Sequence, residues 1–343
     1  MAAAPVESGG DHEGDQHGTG SVGAAHRLGQ ALRLSMRFCV GLPPFLDAFK
    51  LMWIALAVTV LKRRFMRGFQ PRIASDYGFE LAGRPTDSTL NGIVFYRGRF
   101  EPVLSEVVDR CVRPGDLCVD AGSNVGYFTL LFCRKAGATG RVISIEAAPG
   151  NFRRLATNVA HNGFRDRVEI IEKACAGAAG ESTFYIHARN DMLSRMTLPG
   201  KGELDHWLMG GTKPWRPVTV KTDTLLGMLG NRAAEVTFVK LDIEGAEHLV
   251  VRELIAHCIH PRLQVALEAK APNIRKTLEP FEAAGFHLYD LLNDYRWLLN
   301  ARVNTPLACS YESIYARKFM ADVLLTRLPL DAPAGEEALS GMA

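Results

Sequence analysis

No property of this sequence is extreme. Its 343 residues carry 40 Lys+Arg against 37 Asp+Glu, so no single-sign field marks the whole chain for nucleic acid. No Cys-x-x-Cys pair occurs among the seven cysteines (39, 111, 118, 133, 175, 258, 309). That removes zinc ribbons and thioredoxin-type redox chemistry, and the odd count favours a reducing, intracellular setting. No apolar run reaches the roughly 20 residues that a spanning helix needs. The nearest, Leu51–Leu61, would rise only about 16 Å against a hydrocarbon core of about 30 Å. Residues 1–26 hold almost no large apolar side chain and no basic-then-apolar start, which predicts a disordered tail and no secretory signal. What is present is ordinary globular composition, 47% apolar and 22% charged.

Charge is uneven along the chain. Arg27 to Arg72 contains nine basic residues and one acid, Asp47, while the remainder sums to a net negative charge. Leu51–Leu61 sits inside this block and ends at Lys62-Arg63-Arg64. Two readings stay open for this helical extension over 27–90. It packs on the main domain or on a second subunit as a homodimer, or residues 45–67 rest on an anionic lipid surface with Phe49 and Trp53 as anchors. The expected localisation is accordingly cytoplasmic, with peripheral contact at the inner membrane face in the second case.

From about residue 91 the pattern alternates strands with helices, which predicts an α/β fold with a mostly parallel, doubly wound sheet. The expected strands are Leu117–Ala121, Arg141–Glu146, Val168–Lys173, Val236–Asp242 and Leu263–Glu268, with Phe286–Tyr289 and Tyr311–Ala316 completing the sheet. Helices are expected at Val125–Lys135, Gly150–His161, Gly245–His257 and Asn273–Ala284. Thr183–His187 and Val218–Lys221 are added strands around a polar insertion, 188–217. The domain is expected to cover 91–320, with 321–343 a C-terminal tail.

The strongest local signal runs from the first strand into its helix: Asp120, Gly122, Asn124 and Gly126. The glycines allow a tight turn and close ligand approach at a strand's carboxyl end. The run lacks the third glycine of a dinucleotide fingerprint and the GK[ST] of a P-loop. A carboxylate before the turn suits a cationic cofactor better than a pyrophosphate. Glu146 ends the next strand, where an acid grips ribose hydroxyls. The set favours S-adenosyl-L-methionine over a nicotinamide cofactor.

The second signal is Lys240–Glu247. Asp242 and Glu244, two residues apart, are expected to converge on one pocket and to orient or deprotonate a hydroxyl. Glu247 reads as a favourable first-turn acid. Glu268, several histidines, and Lys213, Trp215 and Arg216 are weaker candidates. Asp242 and Glu244 could offer oxygen ligands to Mg²⁺, but no third ligand is obvious and no metal is expected.

Asp120–Gly126 with its continuation Tyr127–Leu130, paired with Lys240–Glu247, resembles the FkbM family of S-adenosylmethionine-dependent methyltransferases. Phe100-Glu101-Pro102, Arg113–Asp116 and Asn158 agree with it, and the likeness spans roughly 90–290. The resemblance implies a Rossmann-like class I fold and O-methylation of a hydroxyl on a sugar, glycolipid or other natural product. It places Asp120, Gly122, Asn124 and Gly126 on the cofactor, Glu146 on its ribose, and Asp242 and Glu244 beside the methyl group. The acceptor is then a small-molecule, saccharide or lipid-linked hydroxyl, not nucleic acid. One departure stands out: the family's acid-Pro pair is here Glu146 and Pro149, separated by two alanines. The alternatives are an NAD(P)-dependent oxidoreductase and a non-catalytic cofactor-binding or membrane-associated scaffold.

Overall fold

The computed structural model describes residues 30–39, 42, 46, 49–50, 52–54, 56–57, 72–85, 87–187, 194–196, 215–293, 298 and 303–331. The expected tail over 1–26, much of 45–67 and most of the 188–217 insertion lie outside the described residues.

The core is one eight-stranded sheet. Its strands are β3 (Leu117–Ala121), β4 (Arg141–Ile145), β5 (Val168–Ile171), β10 (Val236–Leu241), β11 (Gln264–Lys270), β12 (His287–Asp290), β13 (Leu307–Ala308) and β14 (Met320–Thr326). Their order is β13-β12-β14-β11-β10-β3-β4-β5. The run from β11 through β10, β3 and β4 to β5 is parallel. β14 enters antiparallel between β11 and β12. The chain moves outward from β3 in one direction and from β10 in the other, so the switch point lies between these two strands.

Helices cover both faces, and the period of two in each strand decides which residue meets which layer. Cys118, Val142, Phe238, Ala266 and Leu324 face α1 (Thr89–Arg97), α2 (Pro102–Cys111), α3 (Tyr127–Ala136) and α4 (Pro149–His161). Their neighbours Val119, Ile143, Val239, Val265 and Leu325 face α5 (Leu225–Leu229), α6 (Glu247–His257) and α7 (Ile274–Ala283). Strands buried on both faces must be apolar throughout, as β3 is along its whole length except Asp120.

A smaller sheet is built from β6 (Ala174–Cys175), β7 (Gly180–His187), β8 (Ser194–Arg195) and β9 (Trp215–Asp223), ordered β6-β9-β7-β8. Phe184 and Val220 of this sheet pack on Ala147 and Ala148, which seats it beside the loop after β4. A two-stranded hairpin, β1 (Ile73–Ala74) and β2 (Glu80–Leu81), closes the other side.

Several expected boundaries change. Tyr311–Tyr315 is a helix, α8, not a strand, because Tyr311, Ile314 and Tyr315 repeat at helical spacing after a Ser310 cap. The strand that completes the sheet is β14, so the expected tail from 321 begins inside the core: Val323, Leu324 and Leu325 are fully buried. The insertion also carries strand structure, since β8 and the start of β9 fall within 188–217. The extension likewise reaches into the core: Met36, Ile73, Phe79 and Leu81 are buried with α1 to α4.

Candidate active site

Asp120, Gly122, Asn124, Glu146, Asp242, Glu244 and Glu268 gather at the carboxyl edge of the sheet, around the switch point, whereas Trp215 and Arg216 lie on β9 of the smaller sheet and Lys213 falls outside the described residues. Gly122 turns at φ +82°, and a Cβ there would stand 1.7 Å from the Asp242 carbonyl oxygen. The loops after β3 and β10 therefore touch, and the Asp242 N–H donates to Ala121 O at 2.9 Å. Asn124 adopts φ +53° and donates its N–H to Glu146 Oε2 at 2.7 Å. The Ala148 N–H fills Glu146 Oε1 at 2.7 Å. Ala148, the second of the two alanines before Pro149, thus serves the acid directly by its backbone donor. Gly126 lies deeper, 2.6 Å in Cβ terms from Leu155 Cδ1, where it lets α4 pack closely.

On the α1–α4 face, the apolar row becomes ionisable at this edge. Two residues beyond Cys118, Phe238 and Ala266 stand Asp120, Lys240 and Glu268; two before Leu324 stands Asp322. Asp120 and Lys240 are register partners across β3 and β10, and Glu268 and Asp322 are partners across β11 and β14. Asp120 Oδ2 accepts from Thr129 at 2.6 Å, and Thr129 and Ser144 lie 2.8 Å apart. Asp120 Oδ1 is buried without a partner among the described residues. Burial raises the Asp120 pKa, against Lys240 and Thr129.

Two lysines hold the remaining carboxylates. Lys240 Nζ donates to Asp242 Oδ2 at 2.9 Å and lies 5.2 Å above the Phe128 ring. Lys270 Nζ reaches Glu244 Oε2 at 2.6 Å and Glu268 Oε2 at 2.8 Å. Burial raises Asp242, but Lys240 and Lys270 outweigh it and hold the carboxyl below its ordinary value. Glu244 and Glu268 are raised by burial despite Lys270. Both lysines are pushed upward by these carboxylates against the opposing effect of burial, so both stay charged at neutral pH.

Asp242 and Glu244 do not converge as strand neighbours, because β10 ends at Leu241 and Glu244 sits at φ +57° in a turn. Glu247 does more than meet a helix dipole. It is buried, and its Oε1 accepts the N–H groups of Ile243 (3.0 Å) and Gly245 (3.2 Å), which fixes that turn. Lys270 and Asp322 escaped the sequence reading, since only the sheet register brings them to the edge.

The edge fits S-adenosyl-L-methionine. A carboxylate offers about four acceptor positions, so Glu146 retains capacity for both ribose hydroxyls after its two backbone donors. The unpartnered Asp120 oxygen offers a further acceptor to a cationic ligand. Among the described residues no cluster of His, Cys, Asp and Glu is arranged to hold a metal ion.

The chain is similar in structure to an S-adenosylmethionine-dependent O-methyltransferase from Thermotoga maritima, at 14% identity and TM-score 0.36 over 78% of this chain and 82% of that one. It is similar to a precorrin-6y C5,15-methyltransferase from Geobacter metallireducens at 10% identity and TM-score 0.34, covering 65% and 84%. Aeropyrum pernix fibrillarin, with natively bound S-adenosyl-L-methionine, gives 12% identity and TM-score 0.33, covering 65% and 72%. Likenesses of this size add nothing to what the strand order states. No curated protein matches the sequence. Residues 120–294, from Asp120 to just past β12, match the family described as "Methyltransferase FkbM domain". The chain belongs to the FkbM family of S-adenosylmethionine-dependent methyltransferases, which sets aside the nicotinamide alternative.

Proposed function

We propose that this methyltransferase transfers to oxygen, on a hydroxyl of a sugar, glycolipid or other natural product. The observation that carries the reading is the Lys240–Asp242 pair at the switch point. It keeps Asp242 ionised, with Oδ1 left to accept a hydrogen bond from an acceptor hydroxyl and hold that oxygen in line. The cofactor supplies an electrophilic methyl group when bound. The chain's own residues bind and orient: Glu146 holds the ribose, Asp120 and Asn124 shape the turn, and the lysine pairs fix the carboxylates. A lowered pKa makes Asp242 a better orienting group than a base.

The test has two parts. Calorimetric titration with S-adenosylhomocysteine, with NAD(P) alongside, should give binding by the wild type and loss in Asp120→Ala. Methyl-labelled S-adenosylmethionine should then label monosaccharide, sugar-nucleotide or lipid-linked hydroxyl acceptors. Label confined to amine or carbon acceptors overturns the O-methylation reading.

A lipid-linked acceptor gains support from the extension. Leu34 and Phe38 are exposed one turn apart on the helix over 30–39, and Phe49, Met52 and Leu56 are exposed at helical spacing beyond it. No described helix is long and apolar enough to cross a membrane. Such a stripe followed by Lys62-Arg63-Arg64 suits an anionic lipid surface. The full chain should sediment with phosphatidylserine vesicles and not with neutral ones, and Phe38→Asp with Met52→Asp should abolish it. Equal recovery with both vesicle types, or no effect of the substitutions, rejects this surface.

A further inference from the structure

The residue that begins α2 has no structural task for its side chain. Glu101 takes the N-cap position at φ +39°, left-handed backbone that costs a non-glycine residue about 1–2 kcal/mol. Its side chain makes no cap bond. Its carbonyl caps the turn instead, accepting the Ser105 N–H at 2.8 Å. The following Pro102 needs no donor satisfied.

The residues beside Glu101 pack against this edge of the site. Phe100 packs edge-on against Tyr127 and Phe128, at 5.9 and 6.3 Å between centroids, and Phe100 O accepts the Ser105 hydroxyl at 2.6 Å. Phe128 in turn lies beneath Lys240 Nζ. α2 covers the very face on which Asp120, Lys240, Glu268 and Asp322 replace the apolar row, and Glu101 caps its first turn. The groups facing its carboxyl are Lys240 and Asp242 from β10 and its turn, Asp120 from β3, and Asp322 from β14. Lys240 is already engaged by Asp242, and no hydrogen bond or ion pair to the Glu101 carboxyl exists among the described residues.

Resting on the O-methylation reading above, we propose that Glu101 is a catalytic residue, the base that takes the acceptor's proton from a place beside the cofactor's sulfonium. The acceptor oxygen forms its bond to the methyl carbon, the electron pair of the sulfur–methyl bond stays on sulfur, and the hydroxyl proton passes to the Glu101 carboxylate. Charge balances: cation, carboxylate and neutral hydroxyl become neutral thioether, carboxylic acid and methyl ether. Burial, with Asp242, Asp322 and Asp120 adding to it and Lys240 opposing, pushes the Glu101 pKa up to about 8. A base poised there accepts a proton more readily than Asp242 does.

The discriminating measurement compares S-adenosylmethionine with S-adenosylhomocysteine. They share every group that meets Glu146 and Asp120 and differ in the sulfonium charge. If Glu101 stands beside that charge, its ionisation favours the sulfonium ligand, and the affinity ratio should rise about tenfold between about pH 6.5 and 9. The rise should vanish in Glu101→Gln. On the best acceptor of the panel, wild-type kcat should climb with pH through the same ionisation, while Glu101→Gln should lose about a hundredfold in kcat and the climb with it. A wild-type ratio independent of pH, an unchanged ratio in Glu101→Gln, or a variant kcat within about threefold of wild type overturns the proposal. Failure of the wild type to bind S-adenosylhomocysteine overturns the cofactor reading instead, and label on amine or carbon acceptors overturns only O-methylation.

Discussion

Gly122 and Asp242 belong to different βα turns, yet the carbonyl of one occupies the space a side chain of the other would need. That contact, 1.7 Å from an ideal Cβ, locks the two loops of the switch point together. Gly122→Ala is expected to combine backbone strain at φ +82° with a clash against main chain, destabilising the protein by at least about 3 kcal/mol. Denaturant unfolding should show the loss, and calorimetry should show S-adenosylhomocysteine binding lost with it.

Lys240 and Asp242 give a second expectation. Lys240 is nearly buried, with 7% of its side chain exposed, so removing its partner leaves a charge in a poor solvent. Asp242→Asn should cost about 3–5 kcal/mol, and adding Lys240→Met should recover part of it. Asp242 titrates below its unfolded value, so its contribution is present at neutral pH and is lost as pH falls through the native value. The acid limb of the unfolding profile should therefore flatten in Asp242→Asn. Asp242→Ala should lower turnover strongly while S-adenosylhomocysteine binding falls little; equal loss of both would reject its orienting role.

How far the sequence carried depends on the range of the interaction. Gly122, Asn124 and Glu146 were legible because a turn and the strand after it are local events with strict backbone demands. β14 was not: Val323–Leu325 look like any short apolar stretch until the sheet leaves a gap between β11 and β12. Lys270 lies 26 residues from Glu244, and only register joins them. Tyr311–Tyr315 misled because aromatic and β-branched residues favour strands in isolation, whereas Ser310 and the spacing favour a helix. Glu101 showed in the motif but not in its role, since that depends on which face α2 covers.

Glu146 predicts a pH dependence with opposite signs for folding and binding. Burial raises its pKa to about 7, against the two backbone N–H bonds. Between its unfolded value and about 7 the native state holds more protons than the unfolded one, so its contribution to stability falls as pH rises through that window. Cofactor binding should go the other way, because ribose hydroxyls held by Glu146 would donate to its ionised form. S-adenosylhomocysteine affinity should rise from pH 6 to 8, by up to about tenfold per unit below the native value, and should lie flat and weak in Glu146→Gln. A wild-type affinity insensitive to pH in this range would remove Glu146 from the ribose.

Asn158 ties the glycine loop to the extension, and its loss should separate binding from folding. Its Nδ2 donates to Val125 O at 2.6 Å, and its Oδ1 accepts the Ala82 N–H at 2.7 Å, with the side chain buried. One turn on, Asn162 makes the matching pair to the N–H and C=O of Glu80, at 2.9 and 2.7 Å, nearer the surface. Each variant to Ala leaves two backbone groups unpaired, at about 1–3 kcal/mol for a buried group and less where water can replace the bond. Asn158→Ala should therefore cost more stability than Asn162→Ala, and only Asn158→Ala should also weaken S-adenosylhomocysteine binding, because only Asn158 holds the segment between Asn124 and Gly126. Calorimetry on both variants, well below their unfolding temperatures, separates the two effects. Equal affinity in the two would mean that the glycine loop keeps its shape without this tie.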